Sequence, residues 1–139
     1  MNKVAVTGAN GMTGSHMVSL LKTKKIPVKK ITRKIWDLRK WKSFKELDQI
    51  FGSISAVFHF GAQLNYCYSN YSNLQTQNIF NTNVRSCLNL AEWAKLRDIP
   101  IIFISSSLIY KDPHAPKIIE RDETNDEFGS LGELGGLYG

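Results

Sequence analysis

Thr7-Gly8-Ala9-Asn10-Gly11-Met12-Thr13-Gly14 is the stretch of this sequence whose residue types and spacing carry the most chemistry. Its glycines, spaced Gly8-x-x-Gly11-x-x-Gly14, follow a short apolar run, Val4-Ala5-Val6. They precede a segment that places Met17, Val18, Leu20 and Leu21 on a helix-compatible face. In a strand-turn-helix unit, glycines permit the tight turn, let the backbone approach a pyrophosphate, and let the helix pack closely on the strand. The helix N-terminus supplies free N–H groups and the positive end of a dipole. A glycine-rich turn can also exist without a ligand, but this one stands in the context that phosphate binding requires.

The other chemistry-bearing residues are less decisive by themselves. Ser105-Ser106-Ser107 closes an apolar run, where three hydroxyls can simply satisfy the terminal backbone groups of a strand. His16, His59 and His114 lie in three different contexts without HxxH or HxxxH spacing, so no metal site is expected. Cys67 and Cys87 have neither CxxC spacing nor the density of a disulfide scaffold. They read as buried apolar fillers in a chain kept in a reducing cytoplasm. Tyr66, Tyr68 and Asn70 are polar candidates in a loop.

Elements that would position these residues follow from the pattern. Strands are predicted at Val4 to Thr7, Pro27 to Thr32, Ala56 to Phe60 and Ile101 to Ile104, and helices over Ser15 to Thr23, Trp41 to Phe51 and Ile79 to Leu96. Trp41, Phe44, Leu47, Ile50 and Phe51 recur at helical spacing, and Gly52 stops that helix. Strands alternating with helices imply an α/β fold, a parallel sheet with right-handed crossovers. From Asp112 onward the chain turns polar and then glycine-rich, with no clear element.

Composition bounds the rest. A length of 139 residues fits one domain, and 42% hydrophobic with 22% charged residues is ordinary for a globular chain. Neither a signal peptide nor a long uncharged apolar run is present, so no membrane partner is expected. The net charge of +6 is uneven: eleven of the eighteen Lys and Arg lie between Lys22 and Lys45. Without interleaved aromatics or a nucleic-acid module this reads as a solvated surface, and no nucleic-acid partner is expected.

The glycine run resembles the fingerprint of the short-chain dehydrogenase/reductase superfamily, in its extended branch of sugar-nucleotide epimerases, dehydratases and reductases. Val57-Phe58-His59-Phe60-Gly61-Ala62-Gln63 is similar to that family's VFHLAA segment, Asn81-Thr82-Asn83-Val84 to its NxxGTxN region, and Phe103 to Tyr110 to its FxSSxxVYG strand end. The resemblance implies a Rossmann-like doubly wound parallel sheet that carries a nicotinamide dinucleotide. It assigns cofactor binding to Thr7, Gly8, Asn10, Gly11, Met12, Thr13, Gly14, Phe60, Gly61, Ala62 and Asn83. In the strand-end motif the catalytic hydroxyl lies four residues before the tyrosine, here Tyr110, which selects Ser106. Dehydratases of the family place Asp-Glu after that hydroxyl; Ser107-Leu108 stands here, which leaves a reductase or an epimerase.

At the end of the second predicted strand the family's cofactor-selecting position falls at Thr32, with Arg33 and Lys34 following, so NADP(H) is favoured over NAD(H), which stays open. Only Lys34-Ile35-Trp36 separate Arg33 from Asp37-Leu38. This compact TRxxxDL resembles the branch of dTDP-4-dehydrorhamnose reductases and GDP-fucose synthases, where the Asp-Leu pair contacts adenine. Tyr138-Gly139 looks like the start of the family's YGxSK, which makes Tyr138 the acid/base and puts its lysine partner beyond residue 139. The chain is accordingly expected to be the N-terminal, by itself inactive part of a longer nucleotide-sugar reductase or epimerase, its sheet stopping before the last strands. Such enzymes also form homodimers through the long helix. A non-catalytic dinucleotide-binding regulator on the same fold is the alternative.

Overall fold

A computed structural model describes residues 3–63 and 73–105. The chain divides into two compact units, Met1–Phe103 and Ile104–Gly139, and the elements described belong to the first. They run β1 (Lys3–Thr7), α1 (Met12–Thr23), β2 (Val28–Ile31), α2 (Phe44–Phe51), β3 (Ile54–His59), α3 (Asn73–Phe80), a π-helical segment (Asn81–Arg85), α4 (Ser86–Lys95) and β4 (Ile101–Phe103).

All four strands are parallel, in the order β2-β1-β3-β4. The chain leaves β1 for β2 on one side and then crosses to β3 on the other, so right-handed crossovers place the connecting helices on opposite faces. Packing agrees. Val4, Val6 and Phe58 meet Val18 and Leu21 of α1 on one face, while Ala5, Ile31 and Val57 meet Leu47 and Phe51 of α2 and Leu90 and Trp93 of α4 on the other. The sheet is Rossmann-like and doubly wound. No strand intervenes between β2 and α2, as the short Arg33-to-Leu38 spacing implies.

The second face is tied by aromatics and by one carboxylate. Phe51 stacks on Trp93 with ring centroids 4.7 Å apart. Trp93 Nε1 donates to Asp48 Oδ1 at 2.9 Å, and Arg97 closes an ion pair on the same carboxylate. Ser43 and Glu46 form a reciprocal capping box at the start of α2. Gly52 ends that helix at φ +59 as expected.

Three differences from the sequence reading have physical causes. Helix α1 begins at Met12, three residues early, because the glycine turn passes directly into it. Leu20 is 52% exposed, since Val18 and Leu21 with the buried Gly14 suffice to pack the helix on the sheet. The long helix starts at Asn73 rather than Ile79, and Asn81-Thr82-Asn83-Val84 lies in a π-helical turn within it rather than at its beginning.

Among the described residues no helix is long and apolar enough to cross a membrane.

Candidate functional site

Reversal of strand order between β1 and β3 opens a crevice beyond their C-terminal ends, the place where open α/β sheets bind ligands. A cavity of about 500 Å3 lies there, lined by Thr7, Gly8, Arg33, Trp36, Asp37, Leu38, Arg39, Gly61, Ala62, Gln63 and Thr82, with Ile31 beneath.

Its first wall is the turn after β1. Gly8 has φ +61, and a Cβ there would lie 2.8 Å from the Phe60 carbonyl and the Gly61 nitrogen. The β1 and β3 turns can therefore touch only through a bare backbone. Gly11 N–H donates to the Gly8 carbonyl at 2.8 Å and opens α1. A Cβ on Gly14 would collide with that same carbonyl. Gly11 stands at the N-cap with no side-chain cap on the helix and no acidic residue in its first turn. The leading N–H groups of α1 and its dipole are thus left for an external anion.

The second wall is the loop after β2. Trp36 is buried at 2% exposure, its ring edge-on to Phe51, and its Nε1 donates to the Lys40 carbonyl at 3.0 Å. That anchor turns Asp37 and Leu38 into the cavity. Asp37 accepts from Arg39 through both carboxylate oxygens and from the Arg39 backbone N–H. These bonds hold its carboxyl down at about 2, with a smaller contribution from Arg33. Arg33 is exposed and lines the same cavity.

The third wall is the loop after β3, gripped from two sides. Thr7 Oγ1 accepts the Phe60 and Gly61 N–H groups, both at 3.2 Å. Asn83 Oδ1 accepts the Gln63 N–H at 2.8 Å, while its Nδ2 donates to the Gln63 carbonyl at 3.1 Å. The π-helical turn carries Asn83, a local irregularity of the kind that re-aims side chains at sites.

Beneath Thr7 lies His59, 2% exposed on β3, with Nδ1 2.8 Å from Thr7 Oγ1 and Nε2 3.3 Å from Cys87 Sγ. Burial pushes this imidazole from its ordinary 6.5 down to about 4. Cys87 is not the apolar filler expected. It is half-buried and its thiol donates to the Asn83 carbonyl at 2.9 Å. Burial raises the thiol above its ordinary value, so it stays protonated.

A depressed histidine has a stability consequence. The unfolded chain takes up a proton near pH 6.5 and the native site only near 4, so stability is complete above that window and falls as pH drops through it. We expect a loss of about 2 kcal/mol between pH 7 and pH 5, read by urea unfolding, and its absence in His59→Phe. Asp37 and Glu46, both held at about 2, titrate below this range.

Of the residues read from sequence, the structure gathers Thr7, Gly8, Arg33, Asp37, Leu38, Gly61 and Ala62 on one cavity. Asn10, Gly11, Met12, Thr13 and Gly14 form the turn and first residues of α1. Phe60 contributes its backbone, while its ring packs on the α1 face beside Phe58. Asn83 acts through Gln63 rather than from the cavity wall. Ser106 and Tyr138 lie outside the described residues, as do Tyr66, Cys67, Tyr68, Asn70 and His114. Sequence reasoning missed Trp36, Arg39, His59 and Cys87 as parts of the site.

Residues 4–132 match the model of the NAD dependent epimerase/dehydratase family. The chain belongs to this family. No curated protein matches it in sequence. Among solved structures it is similar to a dTDP-4-dehydrorhamnose reductase from Clostridium acetobutylicum, at 22% identity and TM-score 0.74, over 98% of this chain and 46% of that one. It is similar to a GDP-L-fucose synthetase from Naegleria fowleri bound to NADP, at 18% identity and TM-score 0.73, over 99% and 44%. It also resembles a Thermus thermophilus UDP-glucose 4-epimerase in complex with NAD, at 22% identity and TM-score 0.68, over 86% and 43%. The chain thus spans under half the length of each of these three.

The family's name implies a nicotinamide dinucleotide, and the residues of this chain fit one. The uncapped start of α1, the Gly8 cradle that a Cβ would fill, and the guanidinium of Arg33 on the same cavity suit a diphosphate and its flanking nucleoside.

Proposed function

We propose that the protein is an NADP(H)-dependent reductase or epimerase of a nucleotide sugar. The observation that carries this reading is the cavity at the β1/β3 switch point, walled on one side by Gly8, whose turn leads into the uncapped N-terminus of α1, and on the other by Arg33. Bound there, the dinucleotide supplies hydride exchange with a sugar carbonyl.

The chain's own residues divide the remaining work. Gly8 and Gly11 admit the diphosphate to the backbone, and the N–H groups at the start of α1 receive it. Arg33, on the same cavity, would hold the 2′-phosphate of the adenosine ribose, with which a guanidinium pairs. Asp37 would repel that phosphate if its charge were free, but Arg39 occupies both carboxylate oxygens. Tyr138 exchanges the proton of the sugar hydroxyl and Ser106 orients its oxygen, roles carried over from the family motifs.

The test is oxidation of NADPH by the full-length protein with a 4-keto-6-deoxy nucleotide sugar. Turnover that disappears in Tyr138→Phe while NADPH still binds is the expected result; NADPH binding with no turnover on any such sugar counts against the reading. Arg33→Ala should weaken NADPH by about tenfold to a hundredfold and leave NADH unchanged, measured by nucleotide fluorescence. Equal weakening of both would remove the case for NADP(H).

A further inference from the structure

His59 is a buried titratable group with no task in the reaction just described, yet both its ring nitrogens are engaged. Donor and acceptor counting fixes the direction of every proton around it. Thr7 Oγ1 has two acceptor sites and one O–H donor. Both acceptor sites are taken by the Phe60 and Gly61 N–H groups, so the hydroxyl proton can go only to His59 Nδ1. Nδ1 is therefore the bare nitrogen and the ring proton sits on Nε2, facing Cys87 Sγ. The thiol in turn spends its proton on the Asn83 carbonyl. The result is one continuous, one-directional chain from the backbone of the β3 loop, through Thr7, His59 and Cys87, to the π-helical turn.

From this chain we infer that His59 is a positioning residue for the dinucleotide site, acting as the neutral Nε2–H tautomer that aims the Thr7 hydroxyl so that both its lone pairs hold the Phe60-Gly61 turn against Gly8. The inference rests on the cofactor reading above and adds a group that touches no cofactor.

Several features make this a device for position rather than a space-filling histidine. Phe60 and Gly61 form the floor that approaches Gly8 within the reach of a single methyl group, so a small shift of the turn closes or opens the cradle. Asn83 holds the same loop at Gln63 through its side chain and ends the His59 chain with its carbonyl, so the π-helical turn controls both ends of residues 60–63. An imidazolium cannot replace the neutral ring, because its Nδ1–H would face a Thr7 oxygen with no free lone pair. Phe103 stacks on the ring at 5.9 Å between centroids and restricts its tilt.

Four variants and one spectrum test the inference on the full-length protein. Histidine 15N chemical shifts of the unmodified protein at pH 7 should show His59 as the Nε2–H tautomer; a protonated Nδ1 overturns the inference without any ligand present. His59→Phe keeps the volume and removes both nitrogens, and is expected to weaken NADPH binding by about tenfold, the worth of one buried hydrogen bond. His59→Asn, whose Oδ1 stands near the position of Nδ1, should recover to within about threefold of the unmodified protein. Thr7→Val combined with His59→Phe should bind no more weakly than Thr7→Val alone, because both act through one bond. Binding by His59→Phe equal to that of the unmodified protein, or no recovery in His59→Asn, overturns the inference while leaving the cofactor reading intact. If His59→Phe does not fold, the tautomer and the Asn variant decide. Failure of the unmodified protein to bind NADPH or NADH overturns the cofactor reading, and this inference with it.

Discussion

Gly14→Ala is expected to destabilise the chain and to abolish dinucleotide binding together, although alanine is the better helix former. Without tertiary constraint, glycine to alanine inside a helix stabilises by roughly 1 kcal/mol. Gly14 is buried in the first turn of α1, and a Cβ there would collide with the Gly8 carbonyl and lie 3.0 Å from Ala9 Cα. Both neighbours are backbone of the turn, so neither can swing away as a side chain would. Either α1 lifts off β1 or the turn opens, at a cost of about 1–3 kcal/mol for overpacking, which exceeds the propensity gain. The same displacement moves the free N–H groups of α1 from the Gly8 cradle, so binding should fail by more than stability requires. Gly11→Ala is the control for stability alone, because its Cβ meets only the Gly8 oxygen, at 3.2 Å, and a shift of a few tenths of an ångström relieves it. Thermal unfolding and NADPH titration of the two variants decide the matter. A Gly14→Ala protein as stable as the parent and still binding would mean that the helix does not depend on close approach at this point.

The elements that sequence revealed most clearly are those whose burial is one-sided or complete. Val4-Ala5-Val6-Thr7 and Ile54 to His59 are central strands covered on both faces, so their residues read as nearly unbroken apolar runs. Helix α2 carries Phe44, Leu47, Ile50 and Phe51 at the predicted spacing in the larger core cluster, while Trp41, expected in its first turn, precedes the Ser43 cap and is 45% exposed. The start of the long helix was invisible for the opposite reason. Asn73–Phe80 reads NLQTQNIF, and among the described side chains, from Leu74 onward, Ile79 alone is buried. A π-helical turn then breaks the 3.6-residue period where a sequence reader would carry it onward.

Legibility of the site follows the same division between backbone and side chain. The glycine positions are dictated by steric limits on backbone approach, and such limits leave a mark in the sequence because only one residue type satisfies them. Arg33 and Asp37 were placed by their distance from the glycines along a short connection. His59 and Cys87 left no comparable mark. Their partnership depends on β3 and α4 being brought together across 28 residues, and a histidine in an apolar strand gives no sign of which atom it will meet. Arg39 stands two residues beyond Asp37, close enough for its role to have been suspected, yet it is one of eleven cations in that stretch and nothing in the sequence sets it apart.

Trp36→Ala should produce the largest loss of stability and a separable loss of affinity. Trp36 sits 2% exposed beneath the connection between β2 and α2, packed with Ile31, Leu47 and Phe51 in the larger core cluster. Truncating a buried tryptophan costs about 3–5 kcal/mol through lost transfer energy and the cavity left behind. Because Nε1 also holds the Lys40 carbonyl, the loop from Thr32 to Lys40 loses its buried ring and an internal tie at once, and keeps only Leu38 packed against the same cluster. That loop carries Arg33, Asp37 and Leu38 into the cavity, so NADPH affinity should fall even at temperatures where the variant remains folded. Trp36→Phe separates the two effects. It keeps most of the packing, loses the N–H bond at about 1 kcal/mol, and should weaken binding more than its small change in stability suggests. Urea unfolding gives the first quantity and titration of the folded variants the second. If Trp36→Ala loses stability but binds NADPH as tightly as the parent, the position of Arg33 and Asp37 is set by the Asp37-Arg39 pair and not by the buried ring. If it loses neither, the connection after β2 does not hang on this tryptophan at all.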